Sequence, residues 1–185
     1  MTQKPYFRDV WALGPSNNGY PGAFPRGFVN AVKRRWWGRK RCWLFSGSFK
    51  DEGHTTVDIK PELKPSVVAN CEHLPFPDEN FDFVLADPPY SEAEAMSLYG
   101  LPYYNIVKVL NEMARVCKPG GTVLFFHRLI PAIHPGLSPE FKQLKMIGVV
   151  GIFTIAGFSN MRALTVWKKQ GKLDGVLELE AGPGD

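Results

Sequence analysis

Phe81-Asp-Phe-Val-Leu-Ala-Asp-Pro-Pro-Tyr90 is the stretch that decides how this 185-residue chain folds. Its first six residues are mostly apolar and rich in strand-favouring side chains, which predicts a buried β-strand over 81–86. Pro88 and Pro89 then fix the backbone and leave two peptide units without N–H donors. Their carbonyls and the Asp87 carboxylate form a small rigid set of acceptors at the strand end. Tyr90 offers a flat face on which a ring can stack. Acceptors beside a stacking face suit an amino group attached to a flat ring. Taken alone, a Pro-Pro pair would be read first as a turn that stops a strand, so the surroundings decide.

Outward from this stretch, short apolar runs alternate with helical periodicity. Upstream, strands are predicted over 42–45, 55–59 and 66–69; the first is followed at once by Ser46-Gly47-Ser48, and the second contains Asp58. Downstream, Ile106, Val107, Leu110, Met113 and Ala114 mark one face of a helix over 103–116, stopped by Lys118-Pro-Gly-Gly121. A strand over 122–126 follows, then an antiparallel pair over 145–155 and 162–167 joined through Gly157-Phe-Ser-Asn160. Nearer the N-terminus, Pro25 suits a helix start, and 27–37 places Phe28, Ala31, Val32 and Trp36 roughly on one face, with Gly38 as its stop. Residues 1–24 are expected to form an irregular arm and 171–185 a flexible tail, leaving one domain over 25–170. The expected class is α/β, a mostly parallel sheet with a C-terminal antiparallel strand pair. In such sheets ligands bind at the carboxyl ends of the strands. Ser46–Ser48, Asp58 and Asp87–Tyr90 all fall at or near those ends, which points to one site rather than three unrelated loops.

Composition narrows the setting. No apolar run approaches the length of a bilayer span and the N-terminus has no apolar leader, so a cytoplasmic protein without a membrane partner is expected. Cys42, Cys71 and Cys117 are an odd number with no Cys-x-x-Cys spacing, which argues for reduced thiols over a disulfide framework or a metal site. Charge is lopsided: residues 1–41 hold nine basic side chains and one acid, whereas the remainder holds 13 basic and 17 acidic. Lys33, Arg34, Arg35, Arg39 and Lys40 are therefore candidate contacts to a phosphate backbone, with a solubilising helix face as the equal alternative. Trp36 and Trp37 are candidates for stacking on bases or for packing beneath the sheet. Tyr99, Tyr103 and Tyr104 are candidates for a substrate cleft or for core packing, and His127 for a pocket residue or a polar strand end.

The run Leu74-Pro-Phe-Pro-Asp-Glu-Asn-Phe-Asp-Phe-Val-Leu-Ala-Asp-Pro-Pro-Tyr90, followed by Lys118-Pro-Gly-Gly-Thr-Val-Leu-Phe125, resembles the class I S-adenosylmethionine-dependent methyltransferases. Among them it is most similar to the DNA amino-methyltransferases (adenine-N6 and cytosine-N4) marked by Asp-Pro-Pro-Tyr. The resemblance covers roughly residues 20 to 168 and implies a single Rossmann-like methyltransferase domain with S-adenosylmethionine as cofactor and no metal. By it, Tyr20, Pro21 and Phe24 belong to an N-terminal cofactor motif, and Phe45, Ser46, Gly47 and Ser48 to the loop around the cofactor's methionine part. Asp58 would accept hydrogen bonds from the ribose hydroxyls, and the segment holding Cys71, Glu72, His73 and Leu74 would lie along the adenine ring. Phe49 stands where the loop's second glycine is usual, and the stretch from Gly47 to Asp58 is short for a crossover helix, so a compressed turn using Gly53 is expected.

The resemblance also implies a mechanism. Asp87, Pro88, Pro89 and Tyr90 would form the catalytic set: the base amino group donates to Asp87 and the Pro88 carbonyl while Tyr90 stacks on a flipped-out base. DNA is expected as partner ahead of RNA, adenine N6 ahead of cytosine N4. RNA guanine-N2 or adenine-N6 transfer, and a non-catalytic binding subunit, are the alternatives. With no insertion long enough for a target-recognition domain, a homodimer or a recognition partner is expected to supply any strict sequence discrimination.

Overall fold

The strand predicted over 81–86 is observed as Phe81–Ala86, the fifth of eight, in a computed structural model that describes residues 6–16, 19–20, 23–36, 38–131, 139–154 and 161–171. The strands are β1 (Phe7–Leu13), β2 (Arg41–Leu44), β3 (Thr55–Asp58), β4 (Val67–Val68), β5 (Phe81–Ala86), β6 (Cys117–His127), β7 (Leu144–Thr154) and β8 (Arg162–Lys169). They form one sheet in the order β1-β7-β8-β6-β5-β2-β3-β4, in which β8 alone runs against its neighbours. Strand order therefore reverses between β2 and β5, the switch point at which parallel sheets of this kind bind ligands.

Two helices cover opposite faces. Helix α1 (Phe28–Arg35) buries Phe28 and Val32 against Trp43, Phe83, Leu85, Leu124 and Phe126. Short helical turns at α2 (Glu92–Glu94), which continues as a wide π-helical coil at Ala95–Tyr99, follow the Asp-Pro-Pro-Tyr stretch. Helix α3 (Ile106–Val116) is capped by Asn105, whose side chain accepts from the Val107 and Lys108 amides. It buries Val109, Leu110, Met113 and Ala114 on the other face, where α4 (Pro139–Lys142) adds Phe141 against Trp167.

No helix connects β2 to β3, and a buried acid takes its place. Asp51, in the connecting loop, accepts from Arg41 Nε (2.7 Å), Trp43 Nε1 (2.9 Å) and Lys33 Nζ (3.0 Å). These donors hold its carboxyl down at about 2, against the opposing effect of burial. Gly53, at φ 73°, makes the expected compressed turn. Phe49 packs edge-on against Trp43 (4.7 Å) and Phe24 (5.4 Å), so the residue that departs from the loop pattern anchors the loop to the α1-side core.

The irregular arm expected over 1–24 is corrected over part of its length: residues 7–13 are β1, pairing parallel with β7 from Phe7↔Gly148 to Leu13↔Thr154. The Phe7 ring lies where a side chain on Gly148 would have to go, so that glycine admits the aromatic ring across the strand pair. The antiparallel β7–β8 pair is as expected, while its connecting residues and the tail from 172 lie outside the described residues.

Candidate active site

Register brings the polar strand ends together. Leu44 pairs with Ala86 and with Val57, so the residues that follow β2, β3 and β5 emerge side by side. Phe45 adopts a left-handed backbone (φ 54°), a conformation rare for a side chain this large. It turns the chain out of β2 and across β3. There the Ser46 amide donates to the Val57 carbonyl (3.0 Å) and the Gly47 amide to Asp58 Oδ2 (2.8 Å), while Asp58 Oδ1 accepts from the Lys60 amide (3.0 Å). Gly47 is also left-handed, at φ 52°, and a Cβ there would fall 2.7 Å from the Tyr20 ring. Tyr20 can lie on this loop only because position 47 is glycine.

These elements enclose a cleft of about 340 Å³. Of the candidate site residues, Tyr20, Phe24, Phe45, Ser46, Gly47, Ser48, Asp58, Cys71, Glu72 and Asp87 line it. Pro21 lies outside the described residues. His73 and Leu74 do not line the cleft; Leu74 is core, and its amide donates to Glu112 on α3 (2.6 Å). Glu72 holds the start of α3, accepting from the Asn105 amide (2.7 Å). Burial pushes the Cys71 thiol up to about 12, so it stays protonated at neutral pH. The lining also includes Asn30 on α1 and Ile59, and a wall of Tyr99, Leu101, Pro102, Tyr103 and Tyr104. The sequence marks Tyr99, Tyr103 and Tyr104 as candidates for a substrate cleft or for core packing, and they line this cleft; it does not single out Leu101 and Pro102 between them.

The lining suits a ligand with flat apolar and polar parts. Ser46 Oγ is buried there without a hydrogen-bond partner among the described residues, an arrangement that costs energy unless a ligand supplies one. Asp58, nine-tenths buried, keeps lone pairs beyond its two backbone bonds. S-adenosylmethionine fits this donor set: Asp58 would hold the ribose hydroxyls, and the Ser46–Ser48 loop the amino-acid end.

The Asp-Pro-Pro-Tyr stretch divides between cleft and interior. Asp87 and Pro89 face the cleft, whereas Pro88 is buried and Tyr90 turns inward. The Tyr90 hydroxyl donates to Asp87 Oδ1 (2.7 Å) and accepts from Arg162 Nη1 (3.4 Å). Its ring meets His127 and Phe126 edge-on, with the Arg128 guanidinium 5.2 Å from its centre. Thus Tyr90 buttresses Asp87 in this structure, where the sequence suggested a stacking plate. Burial pushes the Asp87 carboxyl up to about 7, against the Tyr90 hydrogen bond and the Arg162 charge. His127 is fully buried; its Nδ1 accepts from the Leu129 amide (2.8 Å), and burial depresses its pKa.

The candidate phosphate contacts are not brought to this cleft. Gly27, Val29 and Asn30, at the start of α1, line it, and the helix then runs roughly 12 Å away from it. Lys33 is bonded to Asp51, Arg35 to Asp9, and Lys40 to Asn80; Arg34 and Arg39 are exposed. Arg39 and Lys40 precede β2, at the sheet end opposite the cleft. Trp36 stacks on Phe7 and Trp11, and Trp37 lies outside the described residues.

Comparison with known proteins agrees with this geometry. Residues 49–125 match the family model described as a methyltransferase domain. A demethylmenaquinone methyltransferase of Halalkalibacterium halodurans is 40% identical over 75 residues, which are 40% of this chain and 24% of that one. The chain spans less than half the length of the curated relatives it matches. Among solved structures, the N-methyltransferase NodS from Bradyrhizobium japonicum superposes with a TM-score of 0.53 at 9% identity, over 78% of this chain and 93% of that one. The 1,6-didemethyltoxoflavin-N1-methyltransferase of Burkholderia thailandensis, solved with S-adenosylhomocysteine, gives 0.51 at 12% identity, over 78% and 76%. Strand order, the position of the cleft at the switch point and these superpositions converge on the fold: the chain has a single Rossmann-like α/β domain of the methyltransferase type, with residues 49–125 matching a methyltransferase domain.

Proposed function

We propose that this protein transfers a methyl group to an exocyclic amino nitrogen on a flat ring, with a nucleic-acid base as the ring. Adenine N6 in DNA is the first acceptor to test, an RNA base the second. One observation carries the reading: Asp87 Oδ1 is bonded to Tyr90, while Oδ2 has no hydrogen-bond partner among the described residues and Asp87 faces the cleft. S-adenosylmethionine supplies an electrophilic methyl group on its sulfonium. An amino group donating to Oδ2, and to a proline carbonyl beside it, would be held with its lone pair directed along one line. The methylated nitrogen must shed one proton, and a carboxyl poised about 7 is matched to take it near neutral pH.

A second reading has specific support. The exposed basic residues lie away from the cleft, and the curated relatives are named for demethylmenaquinone, so a small-molecule ring is the competing acceptor. Transfer of labelled methyl to duplex DNA, single-stranded DNA, RNA, free amino-heterocycles and demethylmenaquinone, run in parallel with Asp87→Asn, separates them. Label recovered on a base amino nitrogen, and lost in the variant, supports the first reading. Label on the quinone that survives Asp87→Asn would overturn it. Calorimetry showing no binding of S-adenosylhomocysteine would instead favour a non-catalytic subunit.

A further inference from the structure

Arg162 opens β8, the reversed strand, and is 72 residues from Tyr90 in sequence. Its guanidinium lies 4.7 Å from the centre of the Phe126 ring, which fixes it in place. From there Nη1 donates to the Tyr90 hydroxyl oxygen. A hydroxyl has one hydrogen. With Arg162 on the oxygen, that hydrogen is directed to Asp87 Oδ1 at 2.7 Å. We infer that Arg162 is a positioning residue: acting through the Tyr90 hydroxyl, it orients the Asp87 carboxylate so that Oδ2 faces the cleft, and it places a positive charge beside that pair.

Among the described residues Arg162 has no carboxylate partner of its own, unlike Arg128, which is paired with Glu94 at 2.8 Å. Its charge is therefore directed at the Tyr90–Asp87 pair. The other groups facing Asp87 act the opposite way or are neutral near pH 7. Glu94 of α2 disfavours ionisation of Asp87, although Arg128 at the end of β6 offsets part of its charge. The hydroxyls of Tyr99 and Tyr104 are pushed up by burial and stay protonated. His127 beside Tyr90 is held neutral by burial. Arg162 is thus the cation that counters both Glu94 and the loss of water around Asp87.

The inference rests on Asp87 as the group that holds the acceptor, and its test keeps the two apart. The Asp87 carboxyl carbon is followed by NMR in protein labelled at aspartate, with Asp87→Asn identifying the signal. The titration midpoint should lie near 7 in the parent protein. It should rise by about one pH unit in Arg162→Gln, and stay within a few tenths in Arg162→Lys, which retains the charge. An unmoved midpoint in folded Arg162→Gln would overturn the inference, as would Arg162→Lys shifting as far as Arg162→Gln. The acidic limb of the methyl-transfer rate is then measured on the acceptor that takes label. A limb that follows the midpoint upward supports both claims. A midpoint that moves under an unmoved limb keeps Arg162 as the residue that sets Asp87 and removes Asp87 from the reaction.

Discussion

Asp51 replaces a whole helix with one carboxylate, and removing it measures what that substitution is worth. In Asp51→Ala the Arg41 guanidinium, whose side chain is 5% exposed, loses its buried carboxylate partner. Breaking a buried pair from one side costs about 3–5 kcal/mol. The Trp43 Nε1–H is orphaned as well, at about 1–3 kcal/mol, and because the two losses share one neighbour they do not add in full. A total of about 4–5 kcal/mol is expected, a large part of the roughly 5–15 kcal/mol that holds a domain together. Asp51→Asn keeps an acceptor but no charge, and should cost about 2–3 kcal/mol. Linkage gives an independent figure: a carboxyl held at about 2 in the folded protein against an ordinary 3.8 is worth about 2.5 kcal/mol at neutral pH. Because the folded value is the lower one, that contribution is complete above about pH 5. It fades as pH falls towards 2, with roughly half gone by pH 3. Urea unfolding followed by tryptophan fluorescence, at pH 7 and pH 3, gives both numbers. A difference between parent and Asp51→Asn below about 0.5 kcal/mol, or one that does not shrink at pH 3, would refute this account.

Other outcomes are equally open to measurement. Gly47→Ala forces a left-handed alanine whose Cβ meets the Tyr20 ring, and should weaken binding of S-adenosylhomocysteine about tenfold by calorimetry; unchanged affinity would mean that Tyr20 does not close on the cofactor. Asp87→Asn should lower methyl transfer by on the order of a hundredfold or more while cofactor affinity stays within a few-fold. Lys169, 3% exposed, donates to the Ala114 and Cys117 carbonyls at the end of α3, so Lys169→Met should cost about 2–3 kcal/mol in the same urea titration. Neutralising Arg34 and Arg39 together should lower the salt dependence of any nucleic-acid binding but leave transfer to a free ring unchanged; a loss of that transfer would place these residues in the site after all.

The central sheet was legible because its strands are buried on both faces and read as apolar runs ending in polar turns, as at Leu44 and Ala86. The cleft followed from that: Asp58 and Asp87 each lie at or next to a strand's carboxyl end, and parallel pairing leaves no other end for them. β1 was not legible. Phe7–Leu13 carries Arg8 and Asp9, and its partner β7 lies about 140 residues away, so nothing local marks it as sheet. Periodicity grouped the basic residues of α1, but which end of the sheet they occupy depends on where the helix starts, and that is a tertiary fact. The inward turn of Tyr90 was hidden for the same reason, since one of its two hydroxyl partners arrives on β8.

β1 also imposes an order of events on the growing chain. Phe7 leaves the ribosome long before Gly148, with which it pairs. At synthesis rates of about 5–20 residues per second, that interval is on the order of ten seconds. Throughout it, Phe7 and Trp11 have no sheet edge to join, while the β2–β5 region can already assemble. β1 therefore cannot take its place in the sheet until β7 has been made. Chaperones have a dwell time in which to hold it, and slowing translation between β5 and β7 should prolong its sensitivity to nascent-chain proteolysis.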